Sequence, residues 1–399
     1  MFSLTFPLID FSTKKFMHRD GFFITYKFKF YPVIPRIPFI IFFCCRCIFY
    51  SQIVSAQNAL PDIAVEKKDI TSEQSLFNND TILHFKLAGK LRELFRDRDD
   101  NAVYHPMLLQ YKNNDNGLIS IPLKIKTRGN FRRNPENCFM PPLLLNFPKK
   151  DILKSTVFEK QDKLKLVVPC GDDDYVIKEY LVYKLYNLLT EKSFRARLVL
   201  VEFEDSLKRR KTETHYGILL EDENEVAKRN GCFLLNRKMI PAENIDKSEF
   251  TKMAVFQFMI GNTDWSVPYL HNIRLMCKDS ASVPCTVPYD FDYAGIVNTR
   301  YAIPTPELGI VSVQQRLYRG YCLADKKELD EIFTLFNNLK NDFYNVYINC
   351  SLLNPKYVKT TLNYLDDFYK IINNKKTIDT QFGAPCGAQG KVVIKGLKE

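Results

Sequence analysis

The stretch KLKLVVPCGDDDYVIKEYLVYKLYNLLT, residues 163–190, changes its period part-way along. Residues 163–168 alternate lysine with leucine at period two before two valines, which reads as a strand. From residue 173 the apolar positions 177, 181, 185, 188 and 189 follow the 3.6-residue period of one helix face. Asp172, Asp173 and Asp174 open that helix, where its dipole favours negative charge. Two further strands follow, RLVLVEFE (197–204) and THYGILLE (214–221), joined through the basic tip Lys208-Arg209-Arg210-Lys211.

Toward the N-terminus, strand patterns occupy 81–88, 118–128 and 139–147, and the prolines of FMPPLLLNF put the last of these at an edge or a strand start. Residues 90–100 read as a short helix or loop. Toward the C-terminus come a short helix at 223–229 and a longer one at 247–260, which Gly261 stops. A polar loop, NTDWSVPYLHN, then leads to the strand IRLM, a loop, and the strand TVPYDFDYAG. Helices are expected near 326–340 and 355–373. The order gives an α+β fold with two lobes: a mostly antiparallel N-terminal sheet lobe with one helix, and a mainly helical C-terminal lobe. They join near Glu221-Asp222, the arrangement of an atypical protein kinase-like fold.

The 399 residues are 46% hydrophobic and 26% charged, an ordinary globular composition. Net charge is +11, and residues 1–56 supply a large part, with seven Lys/Arg against two Asp/Glu. The remaining mild excess suits phosphate-bearing ligands or an anionic surface and lacks the clustered basic stripe of a nucleic-acid binder. Residues 37–50, IPFIIFFCCRCIFY, follow Lys27, Lys29 and Arg36 and precede Val54-Ser55-Ala56, a signal-peptide pattern with cleavage after Ala56. The expected organisation is a signal peptide or anchor over 1–56, a linker over 57–80, the domain over 81–380 and a tail over 381–399. Export is the expected fate, to the periplasm, cell surface or medium, with membrane attachment only through an uncleaved N-terminal segment. Eight cysteines remain beyond residue 56, an even number that suits disulfides in an exported chain. Cys138–Cys170 and Cys277–Cys285 are the favoured pairs. No Cys-x-x-Cys pair occurs among these eight and the five histidines are scattered, which speaks against zinc.

The densest chemistry lies in GNTDWSVPYLHN (261–272) and PYDFDYAG (288–295). Phosphoryl transfer from a nucleotide needs a carboxylate to orient the attacking hydroxyl, and hard oxygen ligands for magnesium. Asp264 suits the first task. Asn272 and Asp290 suit the second, because a hairpin between them would bring both to one side of a cleft. For the phosphate-gripping cation, Lys165 backed by Glu179 is the favoured pair, with Lys163, Lys126 and Arg128 competing. His271 is expected to make a structural hydrogen bond.

On TRGNFRR (127–133), KLKLVV with its helix, HYGILLED (215–222), GNTDWSVPYLHN and PYDFDYAG, the chain resembles the CotH kinase family, atypical kinases first associated with spore coats. The shared segments span roughly residues 120–300. The resemblance implies a kinase-like fold, ATP and magnesium as cofactors, and transfer of phosphate to Ser or Thr of a protein substrate. It makes Asp264 the catalytic residue and Asp290 the metal-binding one. Two departures stand out: the Asp-to-Asn spacing exceeds that of ordinary kinases, and no Gly-rich loop is present, so Arg128-Gly129-Asn130 is the one turn offered to the phosphates. Two other readings fit the same residues. One is a glycosyl- or nucleotidyltransferase using Asp290 and Asp292 as an Asp-x-Asp metal site. The other is a non-catalytic, pseudokinase-type surface protein. The aromatic segment Tyr293–Tyr321 occupies the place of an activation or substrate loop.

Overall fold

The computed structural model describes residues 76–148, 151–241, 244–321 and 327–383, all within one compact unit, Lys67–Glu399. The expected signal peptide or anchor, most of the linker and most of the tail lie outside the described residues.

Seven strands form a closed barrel in the order β1-β2-β3-β4-β5-β7-β6. They are β1 (Leu83–Gly89), β2 (His105–Lys112), β3 (Leu118–Thr127), β4 (Leu143–Asn146), β5 (Lys163–Val167), β6 (Ala196–Asp205) and β7 (Glu213–Leu220). Every pairing is antiparallel except the closing one, where β1 runs parallel to β6 in the register Leu83↔Val199. The sheet lobe is therefore a barrel and not an open sheet. Period-two alternation points one set of side chains inward: Ile125, Leu145, Leu164 and Leu219 are fully buried. The alternate set, Lys126, Leu144, Lys165 and Leu220, aligns across four strands on the outer wall. A short helix, α1 (Leu91–Arg96), follows β1, and Leu91, Leu94 and Phe95 join the barrel core.

The helix between β5 and β6, α2 (Asp173–Leu189), is buried on most of its surface, including Val176, Tyr180, Tyr183 and Tyr186. A helix apolar around its circumference belongs inside a core. It packs against β6 and β7 on one side and a C-terminal helix on the other, so its side chains join the core of the helical part. After Glu221 and Asp222, which caps α3 (Glu223–Arg229), the chain builds a second sheet in the order β10-β9-β8. Its strands are β8 (Phe233–Leu234), β9 (Ile273–Cys277) and β10 (Cys285–Pro288). The helices α4 (Lys247–Ile260), α5 (Lys327–Asn338), α6 (Lys340–Ile348), α7 (Pro355–Ile372) and α8 (Lys375–Phe382) complete the C-terminal part.

A disulfide joins Cys138 to Cys170, as the sequence suggests, and it is compatible with an exported protein. Cys277 and Cys285 are free, contrary to expectation. Cys285 stands opposite Met276, so Cys277 is one residue out of register and faces the other side of the sheet. Among the described residues, no helix is long and apolar enough to cross a membrane.

Candidate active site

Helix α4 ends because Gly261 adopts a left-handed conformation (φ +69°). Gly295 comes close here, donating its N–H to the Gly261 carbonyl at 3.0 Å, so the two sequence motifs meet backbone to backbone. Three residues on, the Asp264 N–H donates to Asn262 Oδ1 at 3.0 Å. The loop 266–271 folds back on itself through reciprocal backbone bonds between Ser266 and His271, both 2.9 Å. That return brings His271 Nε2 within 2.9 Å of Asp264 Oδ1. It also lets Asn272 Nδ2 donate to Asp264 Oδ2 (3.0 Å) and to the Asp264 carbonyl (2.8 Å). The long Asp-to-Asn spacing is thus taken up by a small closed turn. Asp264 is held at both carboxylate oxygens, and the amide oxygen of Asn272 has no partner among the described residues.

Hairpin β9–β10 places Pro288 opposite Ile273, so Asn272 and Asp290 emerge at the same end. Tyr289 donates its N–H to the Asn272 carbonyl at 3.0 Å. The strand expected through PYDFDYAG stops at Pro288, and Asp290 follows in a left-handed conformation with φ +62°. Its N–H donates to the hydroxyl of buried Tyr183 on α2 at 2.9 Å. Its carboxylate is half-buried and has no hydrogen bond or ion pair among the described residues.

Around Asp290 lies a buried charged cluster. Arg132, from the 3-10 turn Phe131–Arg133, directs Nη1 to within 3.9 Å of Glu179 and 3.7 Å of Asp292 and donates Nη2 to the Val168 carbonyl. Asp292 also accepts from the Tyr301 hydroxyl at 2.9 Å. Burial first, then Asp290 and Asp292, hold the Glu179 carboxyl well above its usual range against the pull of Arg132. Burial and Asp290 push Asp292 up to about 8. Burial alone would lower the Arg132 pKa, but Tyr301 and the three carboxyls outweigh it and raise it. One guanidinium therefore pairs with two carboxyls while a third, Asp290, lies near, and one buried oxygen, Glu179 Oε1, has no hydrogen-bond partner among the described residues.

Lys165 does not meet Glu179. Its row on the barrel's outer wall carries it to Glu223 Oε2, 3.3 Å away, and over the Tyr289 ring at 5.2 Å. Arg274 reaches the same Glu223 oxygen at 2.7 Å and stacks on Tyr289 at 4.6 Å. Burial chiefly, then Arg128, lowers the Lys165 pKa, with Glu223 opposing. Two cations thus gather about one carboxylate, with Arg128 near enough to Lys165 to act on its charge, beside the end of the hairpin that carries Asn272 and Asp290. Lys126 stacks on Tyr104 at 5.1 Å and Lys163 is exposed. Sequence reasoning passed over Arg132, Glu223, Arg274 and Tyr183. Arg132 lies in the TRGNFRR stretch, but nothing in that stretch distinguishes it from its neighbouring arginines. The segment Tyr293–Tyr321 is tied down: Tyr301 caps Asp292, and Arg319 donates to the carbonyls of Thr263 and Trp265.

Among the described residues no three acidic, histidine or cysteine side chains converge closely enough to hold a metal by themselves. Magnesium rarely asks for that, since it takes one or two carboxylates and completes its shell with phosphate oxygens and water. The donors at the hairpin end, the Asp290 carboxylate and the Asn272 amide oxygen, are hard oxygens without partners among the described residues. The buried carboxyls of Glu179 and Asp292 beside them, which hold protons more tightly than usual, would be favoured in their charged form by a divalent cation. The residues present fit the ion.

No family model and no curated protein matches this chain. Among solved structures, a crystal structure of a Helicobacter pylori proinflammatory kinase, CtkA, is similar with a TM-score of 0.37 and 12% identity. The match covers 64% of this chain and 94% of that one. A likeness at this level fixes neither the fold nor the activity of the chain.

Proposed function

We propose that the protein is a kinase-like phosphotransferase that uses ATP and magnesium to phosphorylate Ser or Thr of a protein substrate outside the cytoplasm. The observation that carries this is Asp290, a half-buried carboxylate without a partner among the described residues, held in a left-handed turn beside a buried acidic cluster and next in sequence to Tyr289, on whose ring Lys165 and Arg274 lie. The two-part architecture and the order of its elements support the same reading.

Asp290 and the amide oxygen of Asn272 would hold the magnesium, which draws charge from the phosphoryl oxygens when bound. Lys165, Arg128 and Arg274 would receive the phosphates, standing in for a Gly-rich loop. Glu223 keeps Lys165 and Arg274 in place, a task the sequence assigns to Glu179. Asp264, fixed by His271 and Asn272, would orient the acceptor hydroxyl and take its proton as the oxygen–phosphorus bond forms and ADP leaves. The Asp-x-Asp transferase reading fits less well. Asp292 is buried against Tyr301 and Arg132 and is not free to ligate alongside Asp290.

The test is transfer of phosphate from magnesium-ATP to the protein itself and to a Ser/Thr-rich acceptor, read by intact mass. Wild type is expected to incorporate phosphate. Asp264→Asn should transfer at least about 100-fold more slowly while still binding magnesium-ATP. Failure of the wild type to transfer to either acceptor would count against the enzyme and favour a binding protein of pseudokinase type.

A further inference from the structure

Away from the site above, α1 and the turn after β3 enclose a cavity of about 650 Å³. Five arginines line it, Arg92, Arg96, Arg98, Arg133 and Arg210, with Asp99; Asp100 and Glu213, outside the lining, pair with two of the five. Three of the guanidiniums are fixed. Arg98 donates to the carbonyls of Phe95 (2.6 Å), Arg133 (3.2 Å), Cys138 (2.7 Å) and Phe139. Arg133 is held by the Asp99 carbonyl at 3.0 Å and by Asp100. Arg210 lies against Phe95 (4.9 Å) and Phe139 (4.6 Å) and bonds Glu213 at 2.6 Å. Its Nε is buried and has no hydrogen-bond partner among the described residues. The other two, Arg92 and Arg96, stand one helical turn apart on α1, exposed and without a partner among the described residues.

Packing guanidiniums together is unfavourable unless something compensates their charge. Here Arg210 adds to burial in lowering the pKa of Arg98. Arg98 uses its fork on carbonyls, whereas Arg133 and Arg210 are held by part of their N–H groups only, and a guanidinium fixed beforehand loses less entropy on binding phosphate. The volume lies in the range of small-molecule sites and is far larger than one phosphate needs.

We infer that this cavity is a binding site for a compact ligand carrying two or more phosphate groups, with Arg92 and Arg96 closing on it from the rim. The site is separate from the nucleotide site: Arg132 and Arg133 are adjacent in sequence, but the first enters the acidic cluster and the second enters this cavity.

The experiment is calorimetric titration of the full chain with tripolyphosphate in EDTA, and with orthophosphate for comparison. Saturable tripolyphosphate binding, at least tenfold tighter than orthophosphate, is expected. Arg92→Glu/Arg96→Glu should weaken it tenfold or more, because both residues are exposed and the fold does not depend on them. Lys208→Glu/Lys211→Glu makes the same change of charge on exposed residues outside the cavity lining and should alter affinity less than twofold, as should Lys165→Ala. Absence of saturable binding, or equal weakening by both double variants, would overturn the assignment. So would loss of binding in Lys165→Ala with retention in Arg92→Glu/Arg96→Glu, which would place the anion in the nucleotide site.

Discussion

Asp290 occupies a backbone region that costs a non-glycine residue free energy, though aspartate tolerates it better than most. The cost is offset by the Tyr183 hydroxyl and by the hairpin that ends two residues earlier. Asp292 and Glu179 carry a second cost, charge kept from water with one guanidinium between them. Without metal, the folded chain holds a proton at Asp292 that the unfolded chain releases near the ordinary value of 3.8. Folding therefore takes up protons between pH about 4 and about 8, and stability falls as pH rises through that window. Glu179 acts in the same direction. Melting temperatures measured in EDTA should fall from pH 5 to pH 8 for wild type and fall less steeply for Asp292→Asn. Identical slopes would show that Asp292 does not hold its proton. Asp264, Asn272 and Asp290 stood out in the sequence because their residue types are those phosphoryl transfer needs. The partner of each cation did not, because an ion pair across 58 or 51 residues, as Glu223 makes with Lys165 and Arg274, leaves no local trace.

At the level of elements, the turn after α4 sets the position of Asp264. A Cβ at Gly261 would lie 2.2 Å from the Tyr364 hydroxyl and 3.1 Å from the Val313 carbonyl, and its φ is +69°. Gly309 has a similar φ of +66° with nothing within 4 Å. Gly309→Ala should cost about 1 kcal/mol for the left-handed backbone alone, and Gly261→Ala roughly 2 kcal/mol more through the contacts. Urea titration checks both, and equal costs would show that the close approach is relieved at no expense. The Cys138–Cys170 bridge closes a loop with a sequence separation of 32, which contains β4 and β5. Cys138→Ala/Cys170→Ala should lose about 3–4 kcal/mol on the loop-entropy argument, with wild type in reductant showing the same loss. Most elements were legible from periodicity. Strand β2 was not recognised, although Met107, Leu109 and Tyr111 alternate as a strand should. The short helices α6 and α8 are stabilised by what they pack on, and their own sequences carry weak signals.

For the whole molecule, the number of strands could be approached from sequence, but closure of the barrel could not. The seam joins Leu83 to Val199, a pairing with no signature in either segment. The placement of α2 was half legible. Its apolar spacing marked a helix, while its burial on nearly every side comes from lying between the barrel wall and the helical part. That position makes α2 a bridge: it supplies Glu179 to the acidic cluster and Tyr183 to the Asp290 turn, while β5 on the barrel supplies Lys165. The candidate site therefore exists only when both parts are folded. Ligand that binds the folded state alone must raise its melting temperature. The most direct measurement is the melting temperature of wild type and Asp290→Ala with ATP, with and without magnesium. The proposed site requires a rise in wild type that depends on magnesium and is lost in Asp290→Ala. No rise in wild type at millimolar magnesium-ATP, or an equal rise in the variant, would contradict it.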